Sequence, residues 1–365
     1  MRICFLAGAN SVHSHRWVRY FADKGYEIYW ISLMPSIEPV SQTISFYDVG
    51  PLSTNPVNIF IQALRVRKLI KKIKPDILHV HSAGTYGLIG ALAGFHPLVI
   101  TIWGSDVLLS TGIKRRLVKF VLSKADLLTC DGVNTTEAII RLGVKPEKIE
   151  RNYWGVDIKK FKPEPPDENL KKELFDLESL VVISIRSLET IYNIESLIKA
   201  VPAVIREVPQ AGFIIAGDGA QKNYLRELAG SLGVLKKIRF VGTIPSNKLL
   251  QYFNISDAYV STSLSDSGLA ASTAEAMACG LPVVITDSVD NKKWVKDGEN
   301  GFVVPVKNPA VLSEKIIYLL KNRNLRENIG RASRKIIEEK NNYYVEMNKM
   351  ESIYEKFAAQ YQKSF

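Results

Sequence analysis

Two side chains stand where chemistry on a charged group could occur. Glu275 lies inside "STSLSDSGLAASTAEAMACGLPVV", residues 261–284, behind a loop almost without bulky side chains. Arg186 closes the apolar run of "VVISIRSLETIYNIESLIKA", residues 181–200. A guanidinium beyond a strand presents a rigid fork of donors that suits a phosphate, although an arginine there is also a common surface residue. The residues Ser267, Gly268, Leu269, Ala270 and Ala271 let a pyrophosphate approach the backbone, and the N-terminus of the following helix favours an anion. A carboxylate one turn further on can accept hydrogen bonds from ribose hydroxyls. The same residues carry a plainer reading. Ser272-Thr273-Ala274-Glu275 has the spacing of a capping box, in which serine and glutamate close the helix start reciprocally. Capping and ligand binding do not exclude one another.

The elements that would position these groups come in a repeated order. Short apolar runs suited to strands lie at residues 3–7, 27–32, 77–80, 99–102 and 127–130, and again at 181–185, 212–216, 238–241, 258–261 and 283–286. Helical patterns fall between nearly all of them. Near-continuously apolar strands alternating with helices imply parallel sheets covered on both faces. The series occurs twice, broken at the proline- and charge-rich "KFKPEPPDENLKKELFDL" of residues 160–177. The expectation is an α/β chain of two doubly wound, Rossmann-like domains facing across a cleft: residues 1–165, then 166–342, with the linker at Pro163–Pro166 as hinge. A helix at about 343–359 has apolar residues spaced to pack back on the first domain. In such sheets ligands bind beyond the carboxyl ends of the strands.

Composition narrows the class. The chain has 365 residues, 46% of them hydrophobic and 23% charged, with net charge +11. Residues 1–165 carry 22 Lys and Arg against 13 Asp and Glu, and the rest carries 26 against 24. The first half is therefore suited to an acidic ligand or an anionic surface. Cys4, Cys130 and Cys279 sit far apart in apolar segments, as buried thiols of a reducing compartment do. The cysteines and the five histidines lack metal-ligand spacing. The opening "MRICFLAGAN" is too briefly apolar for a secretion leader. The stretch of residues 86–104 approaches membrane length, but His96-Pro97 interrupts it, so it reads as a buried helix to about Gly94, a turn and a strand. The basic stretches "RVRKLIKKIK" (65–74) and "GIKRRLVKFVLSKAD" (112–126) fit either ordinary helices packed on a sheet or a surface that docks anionic lipid. The first holds no aromatic residue and the second only Phe120, and no nucleic-acid-binding motif is present.

The segment "EAMACGLPVV" resembles the signature of the retaining glycosyltransferases of family 4, which have the two-domain GT-B architecture. Their pattern is an acid, seven residues, a second glutamate, then Ala-Met-Ala-x-Gly-x-Pro-Val. Here Glu275 takes the place of the second acid. Ser267 occupies the first, with Asp266 one residue earlier. The strand–arginine element also resembles this family, with Ile191-Tyr192-Asn193 standing where a lysine and glycine are usual. The resemblance implies that Arg186 and the Ser267–Ala271 backbone hold a donor pyrophosphate, that Glu275 meets the ribose, and that Tyr192 donates in place of the lysine. Gly217 and Asp218, in "GFIIAGDGAQKNYL", would form the next donor-side turn, which a plain strand-to-helix turn explains as well. The backbone at Thr243 and Ile244 would pass the nucleobase. In the first domain, "AGANSVHSHRWVRY" sets Gly8 in a tight turn, with His13, His15 and Arg16 on the acceptor or phosphate side. "PDILHVHS" places His79 and His81 on one face of a strand. "VITIWGSDVL" has Trp103 where the family usually has histidine, and Trp103, Asp106 and His81 would shape the sugar and acceptor pocket.

The function implied is transfer of a sugar from a nucleotide-diphosphate donor to a hydroxyl, with retention of configuration. No metal or other cofactor is expected. The partners implied are a nucleotide-sugar donor, a glycan or lipid-linked acceptor and an anionic membrane face, with no nucleic acid. Cell-surface glycan, polysaccharide or glycolipid synthesis would suit a cytoplasmic protein, peripheral on the inner face of the membrane. A nucleotide-sugar epimerase of the same architecture and a non-catalytic nucleotide-sugar-binding relative stay open as alternatives.

Overall fold

The computed structural model describes residues 1–266, 268–288 and 290–362. The chain divides into two compact units. The first runs from Met1 to Trp154 and takes in the segment from Tyr344 onward; the second is Gly155–Tyr343.

Unit 1 is built on seven strands: β1 (Arg2–Leu6), β2 (Glu27–Ser32), β3 (Ile44–Asp48), β4 (Ile77–His81), β5 (Leu98–Thr101), β6 (Leu127–Cys130) and β7 (Ile149–Arg151). They form one parallel sheet in the order β3-β2-β1-β4-β5-β6-β7. β4, β5 and β6 are buried at every residue, as strands sandwiched between helical layers must be. Helix Thr85–Ala93 approaches β4 so closely that a Cβ on Gly90 would stand 2.7 Å from Val80 Cγ2. This helix and the strand after it are the stretch that had read as nearly long enough to cross a membrane. No helix among the described residues is long and apolar enough to do so.

Helix Tyr343–Gln362 covers the other side of the unit. Its Met347, Met350 and Tyr354 are fully buried. The Tyr354 hydroxyl bonds to His79 Nδ1, and the Tyr354 ring packs on Phe21 at 4.9 Å. Asn152 Nδ2 donates to the Glu346 carbonyl at 2.8 Å, and Tyr153 N donates to the Glu346 carboxylate at 2.9 Å. The tail from Pro309 is three helices rather than one: Pro309–Lys321, Arg323–Lys340 and Tyr343–Gln362. Asn322 and Asn341, with non-helical backbone, break it.

Unit 2 holds β8 (Leu180–Ile185), β9 (Ala211–Ala216), β10 (Ile238–Gly242), β11 (Ala258–Ser261), β12 (Val283–Thr286) and β13 (Phe302–Val304). Their order is β10-β9-β8-β11-β12-β13, again all parallel. The direction of winding reverses between β8 and β11, so the loops after these two strands part there and leave room for a ligand. Three edge strands, β3, β7 and β13, carry too short or too polar a run to stand out in the sequence. The proline-rich stretch is not where the units divide. Glu164 N bonds to Asn254 Oδ1 at 2.9 Å, and a Cβ on Gly280 would lie 3.1 Å from Pro163, so the segment expected as a free linker is packed into unit 2.

Candidate functional site

In unit 2, the expected donor-side residues gather at the carboxyl ends of β8, β9, β10 and β11. Arg186 directly follows β8. Its carbonyl is packed against Gly217, which follows β9 with φ +132°; a Cβ there would fall 2.0 Å from that oxygen. Only glycine accepts both the conformation and the contact. Gly217 N in turn donates to the Gly242 carbonyl at 2.8 Å, tying the loop after β9 to that after β10. Thr243 beyond it is exposed and Ile244 buried.

The Arg186 guanidinium is not open to water. It pairs with the Asp266 carboxylate and lies 4.2 Å over the Tyr192 ring. The two paired side chains are only 10% and 8% exposed. Burial pushes the Asp266 carboxyl up, and the adjacent Arg186 charge and its hydrogen bond, with that of Ser263, oppose it. Arg186 Nε is buried without a partner. Tyr192, expected to donate from its hydroxyl in place of the lysine, contributes its ring face here, while its carbonyl accepts from Thr262 Oγ1 at 3.0 Å.

The loop after β11 leads through Gly268, with φ +79°, into helix Ala271–Ala278. Ser267 lies outside the described residues. The capping box does not form. The N-cap is Ala270, which has no side-chain oxygen to offer, and Ser272 is already inside the helix with its hydroxyl bonded to Tyr259 at 2.8 Å. The first-turn amides therefore lack the N-cap side-chain acceptor that the sequence had suggested. Leu269 and Glu275 are half-buried, Glu275 in the second turn of this helix. Asp218 is bound up in its own turn: it accepts from Gly219 N at 2.8 Å and pairs with Lys222 at 2.9 Å. That matches the plain strand-to-helix reading.

In unit 1, a cluster of rings occupies the carboxyl ends of β4 and β5. His13 lies 4.8 Å from Trp154 and 5.9 Å from Trp103. Trp17 lies 5.3 Å from His81, and Trp103 5.3 Å from Trp154, centroid to centroid. Four buried ring nitrogens in this cluster have no protein partner: His13 Nδ1, Trp17 Nε1, His81 Nε2 and Trp103 Nε1. Each such group costs about 1–3 kcal/mol if nothing else satisfies it, so four together mark a place where a polar ligand or water is needed. Burial, then the nearby Arg16 charge, lowers the His13 pKa to about 4. Burial, then His13, lowers His81 to about 3. His79, behind them, is pushed well down by burial and bridges Tyr354 to Thr101 Oγ1, 2.7 Å away.

His15 does not face this cluster: its Nε2 bonds to the Ala9 carbonyl at 2.9 Å and its ring meets Trp30 edge-on. Asp106 positions rather than lines. Its carboxylate accepts from Ala83 N at 2.6 Å and Trp103 N at 3.1 Å, which holds Trp103 in place. Gly8 has no left-handed backbone; a Cβ there would instead meet Asn10 Oδ1 at 2.7 Å. Trp17 and Trp154 were not singled out. Trp17 ends the His-Arg-Trp run, whereas nothing in the spacing around Trp154 distinguishes it. Among the described residues no group of three or more His, Cys, Asp or Glu is placed to hold a metal ion.

This geometry agrees with what the chain is similar to. Residues 2–132 match the family described as Glycosyl transferase 4-like, and residues 166–336 match Glycosyl transferases group 1. A Bacillus anthracis protein named N-acetyl-alpha-D-glucosaminyl L-malate synthase is 25% identical over 374 residues, covering 95% of this chain and 93% of its own. An Escherichia coli UDP-Gal:alpha-D-GlcNAc-diphosphoundecaprenol alpha-1,3-galactosyltransferase is 30% identical over 254 residues, 65% of this chain and 64% of that protein. Among solved structures, Anabaena Alr3699/HepE in complex with UDP has a TM-score of 0.83 at 19% identity, covering 98% of this chain and 100% of that one. Two glycosyltransferase family models thus match adjoining parts of the chain, and its two parallel-sheet units have the GT-B fold.

The buried histidines predict a pH dependence. In the unfolded chain each ring takes up a proton near pH 6.5. Folded, His13 resists to about 4 and His81 to about 3. Between those limits the unfolded chain binds more protons, so the stabilisation is complete above about pH 6.5 and is lost on acidification. Urea unfolding at pH 7.5, 6 and 5 should show unit 1 losing about 2 kcal/mol per buried ring between pH 6.5 and 5. The burial-raised carboxyls of Asp106 and Glu346 act in the opposite sense towards the acid end. His81→Gln should reduce the slope; an unchanged slope would mean that His81 is not held neutral.

Proposed function

We propose that the chain transfers a sugar from a nucleotide-diphosphate donor to a hydroxyl acceptor with retention of configuration. The observation that carries this reading is that a strand-end arginine after β8 and the small-residue loop after β11, which leads into a helix, flank the point where the unit 2 sheet reverses its winding. In this reading Arg186 and the first-turn amides of helix Ala271–Ala278 meet the diphosphate, whose negative charge grows as the sugar leaves. Preorganised donors aimed at that charge stabilise the transition state. The sugar's C1–O bond to phosphate breaks as a bond to the acceptor oxygen forms on the same face. The acceptor's proton passes to the departing phosphate oxygen. Glu275 binds the ribose, and the charge compensation needs no metal. HepE, which shares this fold, was solved in complex with UDP, which supports a nucleotide as ligand.

The acceptor belongs to unit 1. Two indole N–H donors, two neutral histidines able to accept, and flat ring faces suit the hydroxyls and C–H faces of a sugar or polyol. The galactosyltransferase relative acts, by its name, on a diphosphoundecaprenol-linked sugar. A lipid-linked glycan acceptor is consistent with the outer surface of unit 1. Helix Gly112–Lys124 buries Val118, Val121 and Leu122 and exposes Ile113 (76%), Leu117 and Phe120 among Lys114, Arg115, Arg116 and Lys119. Helix Pro56–Ile73 exposes Val57, Phe60, Ile61 and Leu64 ahead of its basic end. Apolar side chains beside lysines and arginines suit an anionic lipid face, at about 1 kcal/mol per cation. The protein would then work peripherally on the cytoplasmic side of a membrane, in making a cell-surface glycan or glycolipid.

Two experiments test the reading. Arg186→Ala should cut turnover of a nucleotide sugar by about a hundredfold or more. The Arg186→Ala/Asp266→Asn double variant, which leaves no buried unpaired carboxylate, should be as inactive with a higher melting temperature than Arg186→Ala, and none of the proteins should respond to EDTA. Turnover at the wild-type rate would remove Arg186 from the site, and loss of activity with EDTA would introduce a metal. Reversing Lys114, Arg115, Arg116 and Lys119 to glutamate should lower co-sedimentation with phosphatidylglycerol vesicles at least tenfold. Unchanged sedimentation would end the membrane assignment.

A further inference from the structure

We propose that Asp266 acts as an internal substitute for the donor diphosphate, occupying Arg186 until a diphosphate displaces it. The proposal rests on the donor-site reading above and adds a competitor to it.

A carboxylate and a phosphate use the same fork of guanidinium donors. The pair is largely shielded, with both side chains about nine-tenths covered, so neither charge is satisfied by water. The guanidinium carbon lies 4.2 Å from the centre of the Tyr192 ring, which covers the cation on that side and narrows the directions from which an anion can approach. The nearby Ser263 favours the charged form of the Asp266 carboxyl. Arg186 Nε is left without a partner, so one carboxylate does not exhaust the fork. Asp266 belongs to the loop after β11 and Arg186 to the end of β8, so the pair spans the reversal point of the sheet. A diphosphate arriving there takes over the cation, and the carboxylate must turn away from the like charge. The cost of parting Asp266 from Arg186 is subtracted from donor affinity. Asp266 is thus a positioning residue that sets how tightly the diphosphate binds.

The test is isothermal titration of UDP, GDP and ADP into the full chain and into Asp266→Asn, Ser263→Ala, Arg186→Ala and the Arg186→Ala/Asp266→Asn double variant. Asp266→Asn keeps the shape and removes the competing charge, and should bind the responding nucleoside diphosphate about tenfold more tightly. Ser263→Ala loosens the carboxylate without changing charge and should tighten binding two- to threefold or so. In the Arg186→Ala background Asp266→Asn should have no effect, because it acts only through that cation. This non-additivity is a readout that a purely structural role would not give. If Asp266→Asn and Ser263→Ala both bind the diphosphate no better than the wild type, the competition does not exist. If Asp266→Asn tightens binding equally without Arg186, the effect is general electrostatics and the proposal is wrong. If no nucleoside diphosphate binds any of these proteins, the donor-site reading itself has failed and takes this proposal with it.

Discussion

A parallel strand cannot return to its neighbour by a tight turn; the chain must cross back over the sheet, here through helices. Everything else in the molecule follows from that constraint. Each sheet is closed off on both faces, so its central strands are largely apolar, and a polar side chain such as His79 is hydrogen-bonded within the interior. What remains for binding is the row of loops where the strands end. In unit 2 this brings Arg186, Gly217, Gly242 and the loop after β11 to one edge, although they come from four separate stretches of chain. In unit 1 the same rule collects His81 at the end of β4 and Trp103 just past β5, and helix Val12–Asp23 adds His13 and Trp17.

The two edges solve different electrostatic problems. At the unit 2 edge a cation is shielded from water and must be compensated, and Asp266 does that internally. At the unit 1 edge the rings that line the cluster are uncharged, and the Asp106 carboxylate behind Trp103 is held by backbone N–H groups. Burial keeps the histidines neutral, so the cluster presents dipoles and ring faces, a combination suited to hydroxylated rather than charged groups. The two edges thus differ in how they handle desolvation, one holding a paired cation and the other neutral rings. The protein's excess positive charge is carried elsewhere, on exposed helices of unit 1 such as Pro56–Ile73 and Gly112–Lys124.

Much of the fold could be read before any coordinates, because buried parallel strands leave long apolar runs and the helices between them a different period. The edge strands β7 and β13 have three residues each, too few to show a period. The candidate sites were legible in part. Arg186 and the small-residue loop stood out by residue type, but the pairing with Asp266 depends on a contact across 80 positions of chain that no local pattern encodes. The capping box failed because helix Ala271–Ala278 begins two residues early and the Ser272 hydroxyl finds Tyr259, a tertiary partner that overrides local capping. His13 and His81 come together in the ring cluster, whereas His15 is drawn to a backbone carbonyl, and Trp154 supplies the ring that completes the cluster.

The measurement that bears most directly on this account is the melting temperature of the wild-type chain with UDP, GDP, ADP and CMP and their sugar conjugates, in EDTA. A ligand at about a hundred times its dissociation constant adds roughly 2.7 kcal/mol, a shift of a few degrees for domains of this size. The account predicts a clear shift with one nucleoside diphosphate and its sugar. No shift with any of them would contradict it, leaving the edge of unit 2 as an arginine paired with an aspartate and nothing more.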